Sequence, residues 1–266
     1  MRSKNRPQTS LLILVALGFV LCASAAAQRQ PLDDLLARTS TQISAFLDQF
    51  SNVKCTELVT QLKLGKEDKV EAKQENTFDY LLILSTSGGQ LNLSESRLAV
   101  RHSREVKNMP LLITNGFATL FLVFHPYYEG SFQFSQQEDD FINGKRYVRV
   151  RFEHIKGTRS PTALVLRGRE FPLELAGTAW INPDTGMIAK IAAGIDTGLD
   201  DLGLRVLRSE VEYAPVSFRD VKQTFWFPSI ATIEVETPKQ HWRNVHHFTD
   251  YKQFSVSTEE VIAQKP

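Results

Sequence analysis

The residues best suited to chemistry lie close to the C-terminus. The run His241-Trp242-Arg243-Asn244-Val245-His246-His247-Phe248-Thr249-Asp250 holds three of the six histidines of this 266-residue chain, together with a carboxylate. Imidazole and carboxylate are ligands for zinc, copper or iron and are also acid/base groups. Spacing decides what they can do. On a strand, His241, Arg243 and His247 share one face, while Trp242, Asn244, His246, Phe248 and Asp250 share the other. His241 and His247 then stand about 20 Å apart, and the adjacent His246 and His247 point to opposite faces. Only a β-bulge near Asn244 would bring two of them together. The pattern therefore predicts a solvated polar edge with a Trp242/Phe248 packing stripe and no bound metal.

The other candidates are single residues. His154 falls on the apolar side of an alternating run, where an acid/base role competes with a hydrogen bond to backbone or water. Residues 1–27 have the form of a secretory signal: basic Arg2, Lys4 and Arg6, an apolar run Leu11–Leu21, and an Ala-x-Ala stretch ending at Ala27. The apolar run is shorter than the roughly 20 residues of a membrane-spanning helix. Cys22 raises the alternative of lipidation, but Leu21 is a poor residue to precede an acylated cysteine. Cleavage before Gln28 would leave residues 28–266 as one exported domain, periplasmic or secreted and not integral to a membrane. Cys55 would be its one thiol, expected to be buried and inert within a strand.

No motif of an established enzyme chemistry is present. There is no Gly-x-Ser-x-Gly elbow, no His-Glu-x-x-His, no phosphate-binding or dinucleotide-binding glycine loop and no cysteine cluster. No catalytic residue and no cofactor are expected. The whole chain carries 31 basic and 30 acidic residues, and the signal removes only basic ones. That balance argues against nucleic acid as a partner. The basic stretch Arg146, Arg149, Arg151, Lys156, Arg159, Arg167 and Arg169 fits an ordinary outer face balanced by Glu153, Glu170 and Glu174. Arg167 and Arg169, flanking Gly168, leave open a role at a rim that meets anionic headgroups or a partner.

The elements that would position such residues are mostly strands. Residues 31–50 space Leu32, Leu35, Leu36, Ile43, Phe46, Leu47 and Phe50 at roughly a helical period, with Pro31, Asp33 and Asp34 in the first turn. From Val53 the period becomes two. Val148, Val150, Phe152 and His154 alternate with Tyr147, Arg149, Arg151 and Glu153. Phe132 and Phe134, then Leu207, Ser209, Val211 and Tyr213, then Ala231, Ile233 and Val235 repeat the pattern. Turns are marked by Ser87-Gly88-Gly89, Asn143-Gly144 and Asn182-Pro183-Asp184-Thr185-Gly186. Roughly ten antiparallel strands in sequence predict a mainly β fold, either a closed barrel or a large curved sheet whose concave face needs a cover. The candidate cover is residues 110–125, where Ile113, Phe117, Leu120, Phe121 and Phe124 form one stripe of a helix and Pro126 ends it. A buried strand pair is the alternative reading of that segment.

The segment Gly177-Thr178-Ala179-Trp180-Ile181-Asn182-Pro183-Asp184-Thr185-Gly186-Met187-Ile188, set in such a meander after an N-terminal helix, resembles a strand–turn–strand unit of the periplasmic outer-membrane lipoprotein carrier superfamily. The resemblance implies a half-barrel whose concave side, lidded by helices, holds acyl chains. On that reading the chain is a non-enzymatic protein binding a lipid or the acyl chain of a lipoprotein. Phe117, Leu120, Phe121, Phe124, Phe132 and Phe134 would line the cavity, and other envelope proteins would be its partners. The competing expectations are an interaction module with a solid core, a hydrolase with an unrecognised site, or a metal protein built on the histidine segment.

Overall fold

The computed structural model describes residues 31–47, 53–87, 90–101, 117–166, 169–195, 198–199, 203–218 and 224–253. The export signal of residues 1–27, Cys22 and the first part of the expected cover, residues 110–116 with Ile113, lie outside these.

Alternation of apolar residues at period two produces strands almost throughout. They are β1 (Val53–Leu64), β2 (Val70–Ser87), β3 (Gln90–Arg101), β4 (Phe132–Gln136), β5 (Asp140–Ile142), β6 (Lys145–His154), β7 (Ala163–Leu166), β8 (Arg169–Pro172), β9 (Leu175–Ile181), β10 (Ile188–Ile195), β11 (Val206–Ser217), β12 (Thr224–Glu236) and β13 (His241–Gln253). Eleven of them form one antiparallel sheet in the order β3-β2-β1-β13-β12-β11-β10-β9-β6-β4, with β5 also paired to β6. β7 and β8 make a separate hairpin. The large sheet is open, with β3 and β4 at its two ends, so it is a curved sheet and not a closed barrel. Within the meander, one pairing joins distant parts of the chain: β1 meets β13, placing Val59 opposite His246 and Gln61 opposite Asn244.

The turns follow the chemistry of their residues. Asn143 and Gly144 both take positive φ, 50° and 75°, which gives the two-residue hairpin between β5 and β6 its inverse twist. In the β9–β10 turn the Asn182 Oδ1 accepts from the backbone N–H groups of Asp184 and Thr185, and Gly186 sits at φ 73°. A side chain at Gly186 would meet the backbone of Arg38 and Thr39 at 2.9 Å, so this glycine lets the N-terminal helix lie against the turn. Gly177 plays the same part inside the sheet, since a Cβ there would fall 2.6 Å from the Phe152 ring and 2.3 Å from the Ala192 carbonyl oxygen. The hairpin motif is thus a packing device for the concave face.

Residues 31–47 form an α-helix, α1, whose buried residues Leu35, Leu36, Ile43 and Leu47 enter the same core as the inward residues of the sheet. Phe117–Phe124 is a 3-10 helix and not the α-helix expected. Every residue from Leu120 to Phe124 is buried, so the segment carries no single apolar stripe. A segment that is apolar all round is enclosed on every side, here between α1 and the sheet. A four-residue α-helix, α2 (Pro126–Glu129), follows, and His125 before it is extended (φ −76°, ψ 141°), as the residue preceding a proline should be.

Candidate functional site

The inward face of the sheet has an aromatic end, under the helices, and a polar end. At the aromatic end, Leu120, Phe121 and Phe124 are buried in the 3-10 segment, Phe132 is buried on β4 and Phe134 is partly buried. Phe117 begins the segment, and its side chain lies outside the described ones. The fold separates these residues into two groups. Phe124 stands 5.3 Å from Phe134 and 5.8 Å from Phe152, with Phe132 5.9 Å from Phe152, a tilted and edge-to-face cluster at the β4–β6 side. Phe121 turns the other way, edge-on to Phe46 of α1 at 4.9 Å, and Phe46 in turn meets Phe227 of β12. A void of about 30 Å³ lies between Ile43, Phe46, Phe121, Tyr213 and Trp226. That is space for about one water.

The polar end was not foreseen from the sequence. On β1 the inward positions read Val53, Cys55, Glu57, Val59 and Gln61, all buried. The register sets Gln74, Asn76 and Tyr80 of β2 on one side of them and Asn244 and His246 of β13 on the other. Arg97 of β3 lies opposite Tyr80. Glu57 is wholly buried and receives two hydrogen bonds from Arg97, Nε to Oε2 at 2.6 Å and Nη2 to Oε1 at 3.0 Å. His246, also wholly buried, meets Glu57 Oε1 through Nδ1 at 2.7 Å. Arg97 Nη1 pairs with Glu95 at 2.8 Å, and its guanidinium lies 5.0 Å from the centre of the Tyr80 ring. Burial pushes the Glu57 carboxyl up, but the hydrogen bonds from His246 and Arg97 outweigh it and hold the group below the usual carboxylate range. Glu57 is therefore ionised and only accepts, so His246 Nδ1 carries the shared hydrogen.

Cys55 is buried and hydrogen-bonded with Tyr251, and burial pushes its thiol up to about 12. A thiol held in that form is no nucleophile at neutral pH. The Glu57–His246 pair thus has an acid/base geometry, and the buried Cys55 two residues from Glu57 is not an activated nucleophile.

The histidine segment is a central strand, not the solvated edge expected, because β1 and β12 pair on its two sides. Trp242 and Phe248 are the buried stripe, with Asn244 and His246 between them. His241 and Arg243 point outward, where both reach Glu234 Oε1, at 2.7 and 3.0 Å. His247 is exposed on the same outer face. The bulge lies not at Asn244 but at the far end, where the register with β1 shifts and Asp250 takes φ 55°. Among the described residues no three His, Cys, Asp or Glu side chains form a metal-binding group.

His154 Nε2 bonds the Arg159 carbonyl oxygen at 3.0 Å and its ring stands edge-on to Phe132, a structural setting. The basic stretch is largely matched where it is described. Arg151 meets Glu153 at 2.6 Å, Arg146 meets Asp139 at 2.9 Å, and Arg149 and Arg159 lie over Trp180 and Tyr127. The side chains of Arg167 and Arg169 lie outside the described ones.

No family model matches the chain, and no curated protein matches it. Among solved structures it is similar to a DUF1329 family protein from Desulfovibrio piger, at 10% identity and a TM-score of 0.45 over 87% of this chain and 92% of that one. It is also similar to a putative outer membrane lipoprotein-sorting protein domain from Vibrio parahaemolyticus, at 12% identity and a TM-score of 0.39 over 86% and 93%. Likenesses of this size carry no argument about what the chain binds.

Proposed function

We propose that this chain is an exported, non-enzymatic half-barrel of residues 28–266, periplasmic or secreted after loss of residues 1–27, that binds a lipid or the acyl chain of a lipoprotein. The observation that carries the reading is the way the aromatic end of the concave face is covered. Among the described residues its cover is α1, the eight-residue 3-10 segment and the short α2, and α1 and the 3-10 segment meet the sheet through apolar side chains. The polar tie from α1 to the β9–β10 turn is the Arg38 guanidinium donating to the Pro183 carbonyl oxygen at 3.1 Å. Apolar contacts have no directional requirement. An acyl chain can replace them as the cover shifts, gaining about 0.8 kcal/mol per buried methylene. Phe117, Leu120, Phe121, Phe124, Phe132 and Phe134 are the residues that would meet the chain. Among the described residues no helix is long and apolar enough to cross a membrane, and the ligand would be drawn from envelope lipid or an acylated envelope protein.

A second reading, a solid-core interaction module, is favoured by two observations. The Phe124, Phe132, Phe134 and Phe152 rings are already in mutual contact, and Ile83, Leu98 and Val100 are exposed at the β2–β3 end. Mass spectrometry of lipids co-purifying with the protein, with titration of a fluorescent fatty acid, separates the two. Stoichiometric lipid or saturable probe binding is expected; neither being found would leave the module.

A further inference from the structure

The concave face does not end where its aromatic part ends. We propose that its polar end, centred on Gln74 and Asn76 of β2, holds a neutral, hydroxyl-bearing headgroup of the glycerol-ester type, belonging to an amphiphile whose chain occupies the aromatic end. This rests on the lipid-binding reading above. Gln74 and Asn76 are each more than nine-tenths buried, and both take the inward parity of β2 that Phe78 and Tyr80 continue. No group among the described residues meets Gln74 Oε1 or Asn76 Nδ2. A folded interior seldom leaves a buried acceptor and a buried donor unmet side by side. The two residues are two apart on one strand, about 7 Å along the face. A hydroxyl both donates and accepts, so two vicinal hydroxyls lying between the amides, each within hydrogen-bond reach of one of them, answer both.

The neighbouring charges select against an anion. All three nitrogens of the Arg97 guanidinium are committed, two to Glu57 and one to Glu95. A fatty-acid carboxylate or a phosphate would enter beside two carboxylates whose guanidinium is already taken, a costly addition to a buried site. A neutral headgroup meets no such barrier. Continuity with the chain site follows from the register. Asn76 lies four residues, about 13 Å, from Tyr80 on the same face, and Tyr80 belongs with Cys55 and Leu82 to the core that the helices cover.

The test compares the purified protein's affinities for 1-monooleoylglycerol, oleate and oleoyl lysophosphatidate, read by displacement of a fluorescent fatty acid. The glycerol ester should bind about tenfold or more tighter than either anion. Asn76→Leu and Gln74→Met should each weaken monooleoylglycerol by about tenfold while leaving oleate within about twofold. Neither variant should lower the ligand-free thermal midpoint, because an apolar group replaces a polar one that has no protein partner at its free end. Equal affinities for the three lipids, or variants that lower the midpoint and leave the lipid preference unchanged, would make the two amides framework groups and overturn this proposal while lipid binding stands. Binding of none of the three would overturn both.

Discussion

The two ends of the concave face are made by the same strand alternation and filled by opposite means. Around β9 to β12 the inward residues are Ala179, Ile181, Ile191, Val211 and Phe227, all wholly buried, and apolar helices close over them. Around β1 and β13 the inward residues are Glu57, Gln61, Asn244 and His246, equally buried, and Glu57 is held there by hydrogen bonds from Arg97 and His246. The first arrangement needs only volume and tolerates a change of occupant. The second needs every partner in place, since an ion left without its counter-charge in low dielectric is far costlier than a misplaced methyl. The contrast places tolerance of substitution at the helix-covered end and a demand for paired partners at the other.

The largest effects should come from breaking each end in its own way. Glu57→Leu removes the carboxylate that Arg97 and His246 both meet and should destabilise the protein by about 3–5 kcal/mol in urea unfolding. Phe152→Ala, at the aromatic end, should cost about the same by leaving a cavity. Their repair distinguishes them. Replacing Glu57, Glu95 and Arg97 together with Leu, Leu and Met should recover most of the first loss, because no charge is then stranded. A triple variant as unstable as Glu57→Leu would show that the polar end is held by packing, and the contrast would fail.

How much of this was legible in the sequence differs between the ends for the same reason. Val148, Val150, Phe152, Val211, Tyr213, Ala231 and Ile233 announce their inward face by alternation alone, and the structure places them there. So do the Asn143-Gly144 and Asn182–Gly186 turns, whose chemistry is local. The Leu120–Phe124 run gave its burial but not its helix type, since periodicity over so few residues does not separate an α-helix from a 3-10 turn enclosed on all sides. The polar end depends on β1 pairing with β13, so that Glu57 meets His246 across 189 residues. No local pattern reports that pairing. A trace was present nonetheless. Glu57 and Gln61 sit at the inward parity set by Val53, Cys55 and Val59, and a charge at an inward position of a well-formed alternation is a sign of a partner elsewhere.

A smaller effect should appear in acid. The folded-state pKa of Glu57 lies below its ordinary value of 4.5. Its ionised form thus contributes stability that is fully present above that value and is lost as pH falls through the folded pKa. Glu57→Gln, which keeps the shape and gives up the charge, should flatten the decline of stability with pH below about 4.5. An unchanged slope would assign the acid sensitivity to other carboxylates, such as Glu234, which is also held low against burial by His241 and Arg243.

The smallest expected effect sharpens the comparison most finely, because it uses adjacent residues of one strand. His246 is wholly buried against Glu57, whereas His247 is exposed on the outer face of β13. His247→Ala should change stability by no more than about 0.5 kcal/mol, as surface substitutions away from special features do. His246→Ala should cost several times as much, since it strips a hydrogen bond from a buried carboxylate, about 1.5–3 kcal/mol for a bond to a charged group. The two variants differ only in which side of the sheet they face, so the ratio measures the polar end directly. Unfolding curves on both, with elemental analysis of the wild type for zinc, copper and iron, complete the test. Equal losses in the two variants, or one metal per chain released by either, would mean that the histidines act together across the strand and that the division into an aromatic and a polar end is mistaken.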